Sequence, residues 1–150
     1  MGVPNDREHS FVGRLLRWPS GLRKGGNSAG REVLATYWTD QGERPFAFCI
    51  DGLLVDPEGR PRFIPFGEID DAGYHNLEQL RETKRVASAG EPLREPLRMT
   101  LLGGEIIELP LNERADRMSE RLLIAGLVEQ RVRIAHSERR KRGEGEPTSP

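Results

Sequence analysis

The stretch that decides the fold of this chain is Leu97-Arg98-Met99-Thr100-Leu101-Leu102-Gly103-Gly104-Glu105-Ile106-Ile107-Glu108-Leu109. Two runs of mainly apolar residues, extended in pattern, flank two consecutive glycines. The favoured two-residue hairpin turn needs positive φ at both central positions, which glycine adopts without steric cost. The stretch therefore predicts a β-hairpin that turns at Gly103-Gly104.

After the hairpin the apolar residues change to a helical period, recurring three and four positions apart over 115–135. Asn112 is the predicted N-cap, because its side chain can accept a hydrogen bond from the first turn. We expect one long helix from about Asn112 to near His136, with Glu120 and Arg121 largely off its apolar stripe. The residues expected to face the sheet are Met118, Leu122, Ala125 and Val132.

Short extended runs separated by turn residues precede the hairpin. Strands are expected within 32–39, 46–50, 53–55 and 62–66, with a further one around Ile69. Pro65 lacks the N–H that a ladder needs, which predicts an edge position or a bulge. Residues 75–96 fit either a short helix or a long polar excursion.

These elements predict an α+β, mainly β fold: a small curved antiparallel sheet or barrel of about six to seven strands, capped by one long C-terminal helix. Residues 1–30 are expected to form a flexible basic arm with a glycine-rich linker. Residues 31–136 then form the folded domain. Residues 137–150 are expected to be a basic and then low-complexity disordered tail.

In this order of elements the chain resembles the bacterial pleckstrin-homology-like domains. The residues that carry the resemblance are Phe46-Ala47-Phe48-Cys49-Ile50-Asp51-Gly52-Leu53-Leu54, Arg62-Phe63-Ile64-Pro65-Phe66-Gly67-Glu68-Ile69, Leu101-Leu102-Gly103-Gly104-Glu105 and the helix that follows. The resemblance covers roughly residues 32–136. Because this family mostly supplies binding and scaffolding modules, it implies no reaction.

The distribution of charge narrows the possible functions. Residues 31–112 carry fifteen acidic and nine basic side chains, whereas 1–30 and 113–142 are net positive. A dedicated nucleic-acid binder concentrates positive charge on its folded body, so this pattern is not typical of one. No apolar signal segment or membrane-spanning run appears in the sequence, and we expect a cytoplasmic protein.

The side chains that could carry catalysis do not form a recognised motif, and no catalytic residue, metal ligand, cofactor or small-molecule substrate is expected. Cys49 is the one cysteine, and its apolar strand predicts a small buried hydrophobe. His9, His75 and His136 lack the spacing of a zinc-binding helix. A distant alternative is a metal-dependent nuclease, in which Asp70 or Asp71 and the Glu82-Thr83-Lys84 segment would hold magnesium and position water.

The function that the sequence favours is a non-enzymatic binding module for a protein partner, using an exposed strand edge or the groove between sheet and helix. The alternative is association with an anionic membrane surface or nucleic acid through the basic ends of the chain. The candidate contacts for that alternative are Arg14, Arg17, Arg23, Lys24, Arg139, Arg140, Lys141 and Arg142.

Overall fold

The computed structural model describes residues 22–24, 27–28, 30–56, 59–72 and 77–142. The chain divides into two compact units, Met1–Ile64 and Pro65–Pro150. Each unit contains its own antiparallel sheet, and the long C-terminal helix belongs to the second unit.

The first unit is built on a five-stranded sheet. The described strands of this unit are β1 (Leu22–Lys24), β2 (Asn27–Ser28), β3 (Arg31–Glu32), β4 (Ala35–Tyr37), β5 (Phe46–Phe48), β6 (Gly52–Val55) and β7 (Arg62–Pro65). The sheet has the order β1-β4-β5-β6-β7, while β2 and β3 form a separate antiparallel pair. Neighbouring β4, β5 and β6 are joined in antiparallel register.

Both faces of the five-stranded sheet are buried at its centre. On one face the Tyr37 ring stacks on Phe46 with centroids 4.9 Å apart. On the other, Ala47 and Leu54 pack with Val33 and Cys49, and the half-buried Phe63 covers them. Burial on both faces explains why β5 is apolar throughout rather than alternating.

The second unit contains a three-stranded sheet and two α-helices. Its elements are β8 (Ile69–Ala72), α1 (Leu77–Ser88), β9 (Leu97–Leu101), β10 (Ile106–Leu109) and α2 (Met118–Lys141). The sheet order is β10-β9-β8, and both pairs are antiparallel. Helix α2 packs against β8 and against the 3-10 turn Phe66–Glu68. Residues 75–96, for which the sequence fits either a short helix or a long polar excursion, therefore contain the helix α1.

The predicted α+β, mainly β class is confirmed, but the predicted single sheet or barrel is wrong. The described strands form a five-stranded sheet, a three-stranded sheet and the β2–β3 pair, and they do not close into a barrel. The first sheet ends in sequence at Pro65, which is the last residue of β7 and has no N–H to continue a ladder, and the chain then enters the 3-10 turn Phe66–Glu68. The predicted edge position of Pro65 is confirmed, since β7 is the last strand of its sheet.

The hairpin is confirmed, but its turn differs from the predicted one. Only Gly104 has a positive φ, at 97°, whereas Gly103 is outside the left-handed region. The Gly104 N–H donates to the Leu101 carbonyl at 2.8 Å, and the Leu101 N–H donates to the Glu105 carbonyl at 2.8 Å. This is the three-residue loop in which a left-handed glycine follows a tight turn.

The predicted start of the long helix is wrong by several residues. Helix α2 begins at Met118, after a 3-10 turn at Ala115–Arg117, and it ends at Lys141. Asn112 is not its N-cap, because the buried Asn112 amide instead donates to Glu120 Oε2 at 2.8 Å. Of the four residues expected to face the sheet, Ala125 and Val132 are buried, whereas Met118 and Leu122 are half-buried.

The two turn glycines make a matched test of this geometry. Replacing Gly104 by alanine should lower the free energy of unfolding by about 1–2 kcal/mol, because a Cβ is strained at positive φ. Replacing Gly103 should change it by less than about 0.5 kcal/mol, since a Cβ there meets nothing within 4 Å. Urea denaturation of both variants measures the difference, and equal losses would contradict this turn.

Candidate functional site

The outer edge of β10 presents backbone groups that no described strand pairs with. In the order β10-β9-β8, β10 is the terminal strand. The Leu101–Glu105 hydrogen bond and the register Ile107↔Met99 and Leu109↔Leu97 fix which residues bond to β9. Since antiparallel residues alternate in direction, Ile106 and Glu108 aim their N–H and C=O groups away from β9.

The side chains of the hairpin alternate between a buried and a solvent face. Leu97, Met99 and Leu109 point inward and are almost completely buried. On the other face, Ile106 is 58% exposed, and Leu102 at the turn is 54% exposed. An exposed isoleucine on an open strand edge is unusual, because edge strands are commonly protected by charge or by proline.

One cross-strand ion pair occupies the same solvent face. The Glu108 carboxylate accepts a hydrogen bond from Arg98 Nε at 3.1 Å, across the β9–β10 pair. Both side chains are more than half exposed, so the pair contributes little to stability. It does fix the Glu108 side chain beside Arg98 rather than over the open edge.

The base of the hairpin is held by Arg121, which is only 1% exposed. Its guanidinium donates to the backbone carbonyls of Leu93 and Glu95, which precede β9. It also donates through Nε to the Asn112 carbonyl at 2.8 Å, and it lies 3.5 Å from the Leu111 carbonyl. One side chain of α2 therefore joins the chain entering the hairpin to the chain leaving it.

The hydrogen bonds from Arg121 to the carbonyls on both sides of the hairpin form a clamp, and a second buried polar contact supports it. Glu120 is 4% exposed and accepts from the Asn112 amide, while Arg117 Nη1 lies 3.8 Å from Glu120 Oε1. The segment after β10 is thus bound through its backbone by Arg121 and through the Asn112 side chain by Glu120.

An open groove of about 510 Å³ lies beside the clamp, between α1 and the segment that leads into β9. Leu93 and Thr83 are buried in its floor, together with Arg121. The remaining lining residues are Glu82, Val86, Glu91, Pro92, Arg94 and Glu95. Because the Arg121 guanidinium is engaged by carbonyls, its donors are directed into the protein rather than toward a ligand.

The basic residues expected at the N-terminal end are only partly described. Arg14 and Arg17 lie outside the described residues, and of Lys24 only the backbone, in β1, is described. The exposed Arg23 places its guanidinium carbon 4.4 Å from the centre of the Trp38 ring, and Arg44 lies 4.8 Å from the same ring. Arg23 is therefore held against an aromatic ring.

The basic residues expected at the C-terminal end lie on the last turn of α2 and just after it. Arg140, Lys141 and Arg142 are exposed. Arg139 is half-buried, and its guanidinium packs over Gly67, where a Cβ would lie 2.9 Å from Nη2. The structure thus brings three exposed cations together at the negative end of the helix.

The residues of the nuclease alternative lie on different kinds of element. Asp70 and Asp71 are exposed on β8, whereas Glu82 and Lys84 are exposed on α1 rather than on a core strand. Arg85 binds the Glu82 carboxylate, and this hydrogen bond lowers the pKa of Glu82. Within the described residues, no three acidic, histidine or cysteine side chains are grouped as metal ligands.

The histidines likewise lie apart. His9 and His75 are outside the described residues. His136 is half-buried in α2, and its Nε2 is buried without a hydrogen-bond partner in the described part of the chain.

The expected burial of Cys49 is confirmed, since it is 1% exposed. Burial raises the pKa of its thiol to about 11, while the Arg31 charge acts to lower it and the Asp51 charge to raise it. Because only the thiolate is nucleophilic, the side chain should react slowly at neutral pH.

Alkylation kinetics test this environment. At pH 8 iodoacetamide should modify Cys49 at least about a hundredfold more slowly in the folded protein than in urea, because two pKa units lower the thiolate fraction about a hundredfold. The rate in the folded state should rise with pH toward 11. Mass spectrometry follows the modification, and equal rates with and without urea would contradict the buried thiol.

Comparison with protein-family models, with curated proteins and with solved structures finds no match to this chain. None of the helices in the described ranges is long and apolar enough to cross a bilayer.

Sequence reasoning missed the side chain that organises this site. Arg121 was expected off the apolar stripe, yet it is the most deeply buried charged residue on α2. Its position carries a signal, because 121, 125, 128 and 132 are spaced by four, three and four. The residue type concealed it, since a buried arginine is rare unless its donors are satisfied.

Proposed function

We propose that this chain is a non-enzymatic interaction module that binds an extended segment of a partner protein along the open edge of β10. The observation that carries the proposal is the pair of outward-directed residues, Ile106 and Glu108, on a terminal strand. Added strands gain affinity from backbone hydrogen bonds and specificity from alternate side chains. Along β10, Ile106 and Glu108 direct their backbone groups outward, whereas Ile107 and Leu109 bond to β9. The Ile106 side chain offers an apolar contact.

The surroundings of the edge favour binding by a preformed surface. Met99 and Leu109 anchor the buried face of the hairpin, and Arg121 anchors both of its ends. A strand held in this way loses little conformational entropy when a partner binds. A preformed binding strand suits the pleckstrin-homology-like binding modules, which the sequence resembles. Membership of the pleckstrin-homology-like family is part of the proposal.

Amide hydrogen exchange tests the edge directly. In the free protein, the amides of Ile107 and Leu109 should exchange slowly because they bond to β9, whereas those of Ile106 and Glu108 should exchange rapidly. Peptides selected from a displayed random library against the full chain should protect Ile106 and Glu108. Selected peptides that instead protect residues 82–95 would place binding in the groove and overturn the proposed edge.

A proline substitution supplies the matched variant. Ile106→Pro removes an outward N–H without removing a ladder bond, so selected peptides should bind at least tenfold more weakly while the fold is kept. Thr100→Lys changes the same solvent face on the central strand β9, directly opposite Ile106. That control should bind within about threefold of the wild type, provided that recognition is through the edge. Isothermal titration calorimetry measures both affinities.

The second candidate function is association with an anionic membrane surface. It is favoured by the exposed Arg140, Lys141 and Arg142 at the end of α2. Juxtaposed cations bind anionic lipid with an energy that falls as salt rises.

Vesicle sedimentation distinguishes this candidate from edge binding. If the basic end binds membranes, the chain should pellet with phosphatidylserine vesicles at low salt and be released by salt near 0.5 M. Replacing Arg140, Lys141 and Arg142 by alanine should then reduce pelleting, whereas Ile106→Pro should not. Equal pelleting with neutral vesicles would contradict a role for these charges, and a salt-sensitive gel shift would favour nucleic acid instead.

A further inference from the structure

We infer that the β10 edge also pairs with β10 of a second copy of this chain, forming a weak two-fold symmetric dimer. This inference rests on the proposed edge function and names one partner that the edge fits. It follows from the symmetry of the exposed groups, because Ile106 and Glu108 lie on either side of Ile107 along the strand.

The geometry of an antiparallel pair determines how two such edges meet. With the two-fold axis at Ile107, Ile106 of one copy lies opposite Glu108 of the other, and the same pair forms again by symmetry. Each pair exchanges two backbone hydrogen bonds, so all the outward groups of both strands are satisfied. The two three-stranded sheets then become one continuous antiparallel sheet.

The side chains also favour this register. Ile107, which is half-buried, meets Ile107 of the second copy as a non-hydrogen-bonded pair, where side chains approach most closely. Glu108 keeps its contact with Arg98 in the same copy and lies beside an isoleucine rather than a carboxylate.

The neighbouring registers are less favourable. An axis at Glu108 places the two Glu108 carboxylates directly opposite each other, and like charges in that position repel. An axis at Ile106 places Glu108 opposite Gly104, whose N–H already bonds to the Leu101 carbonyl. Only the axis at Ile107 pairs both outward residues without a charge conflict.

The length of the strand sets the strength of the dimer. Strand β10 has four residues, so its edge offers much less than the roughly 800 Å² per partner of a standard stable interface. The dimer should therefore form in a concentration-dependent way, and a partner segment that makes additional contacts should displace the second copy.

Disulfide trapping tests the register. Ile106→Cys, Ile107→Cys and Glu108→Cys are prepared as single variants of the full chain, in which Cys49 is buried and contributes no background. Antiparallel non-hydrogen-bonded pairs have Cα atoms about 4.5 Å apart, within disulfide range. Under mild oxidation, Ile107→Cys should form at least fivefold more covalent dimer than either neighbour.

Leu102→Cys is the control for random collision, because Leu102 is exposed but lies outside the strand. A crosslinking yield at position 107 that does not exceed this background overturns the dimer. Preferential crosslinking at 106 or 108 overturns the register proposed for it.

Sedimentation velocity over a range of concentrations tests the dimer without a new cysteine. The wild-type sedimentation coefficient should rise with concentration, whereas that of Ile106→Pro should remain at the monomer value. A wild-type chain that stays monomeric yet binds selected peptides through Ile106 and Glu108 overturns the dimer alone. Loss of both properties overturns the proposed edge function as well.

Discussion

The second unit of this protein depends on one buried guanidinium. Arg121 reaches from α2 to carbonyls on both sides of the β9–β10 hairpin, at Leu93 and Glu95 before it and at Asn112 after it. Hydrogen bonds to a charged group contribute about 1.5–3 kcal/mol each, and a buried cation without them is strongly unfavourable. The positions of these two loops and of the helix are therefore fixed together.

This clamp explains how a short edge strand can present an apolar residue. The hairpin is secured at its base by Arg121, at its turn by the left-handed Gly104, and across its buried face by Met99 and Leu109. What remains for a partner is the outer edge, with Ile106 exposed. The same features would favour pairing with any extended segment, including a second copy of β10.

The sequence predicted the elements better than their arrangement. The two extended apolar runs around the glycine pair identified the hairpin, and the three-four repeat identified α2, because these signals are local. The division of the strands among separate sheets was not predicted, since the pairing of strands depends on long-range contacts. For Pro65 the sequence predicted only an edge position or a bulge.

The candidate site was predicted only as a type of surface. A strand edge was expected, but not that it would be β10, because the strand order is not encoded in any local pattern. Arg121 was missed for a physical reason: its burial requires four backbone carbonyls from two separate loops, and their convergence is a tertiary property. The prediction that Asn112 caps the helix was wrong for the same reason, because its amide donates to Glu120 instead.

Hydrogen exchange on an Arg121→Lys variant tests whether the Arg121 clamp fixes the hairpin and its open edge. Lysine keeps the charge but lacks the planar fork that spans both loops. In this variant the amides of Ile107 and Leu109 should exchange at least about tenfold faster than in the wild type. Arg133→Lys, a change at an exposed site on the same helix, should leave them unchanged. Unaltered protection of Ile107 and Leu109 in the Arg121→Lys protein would show that Arg121 does not fix the hairpin.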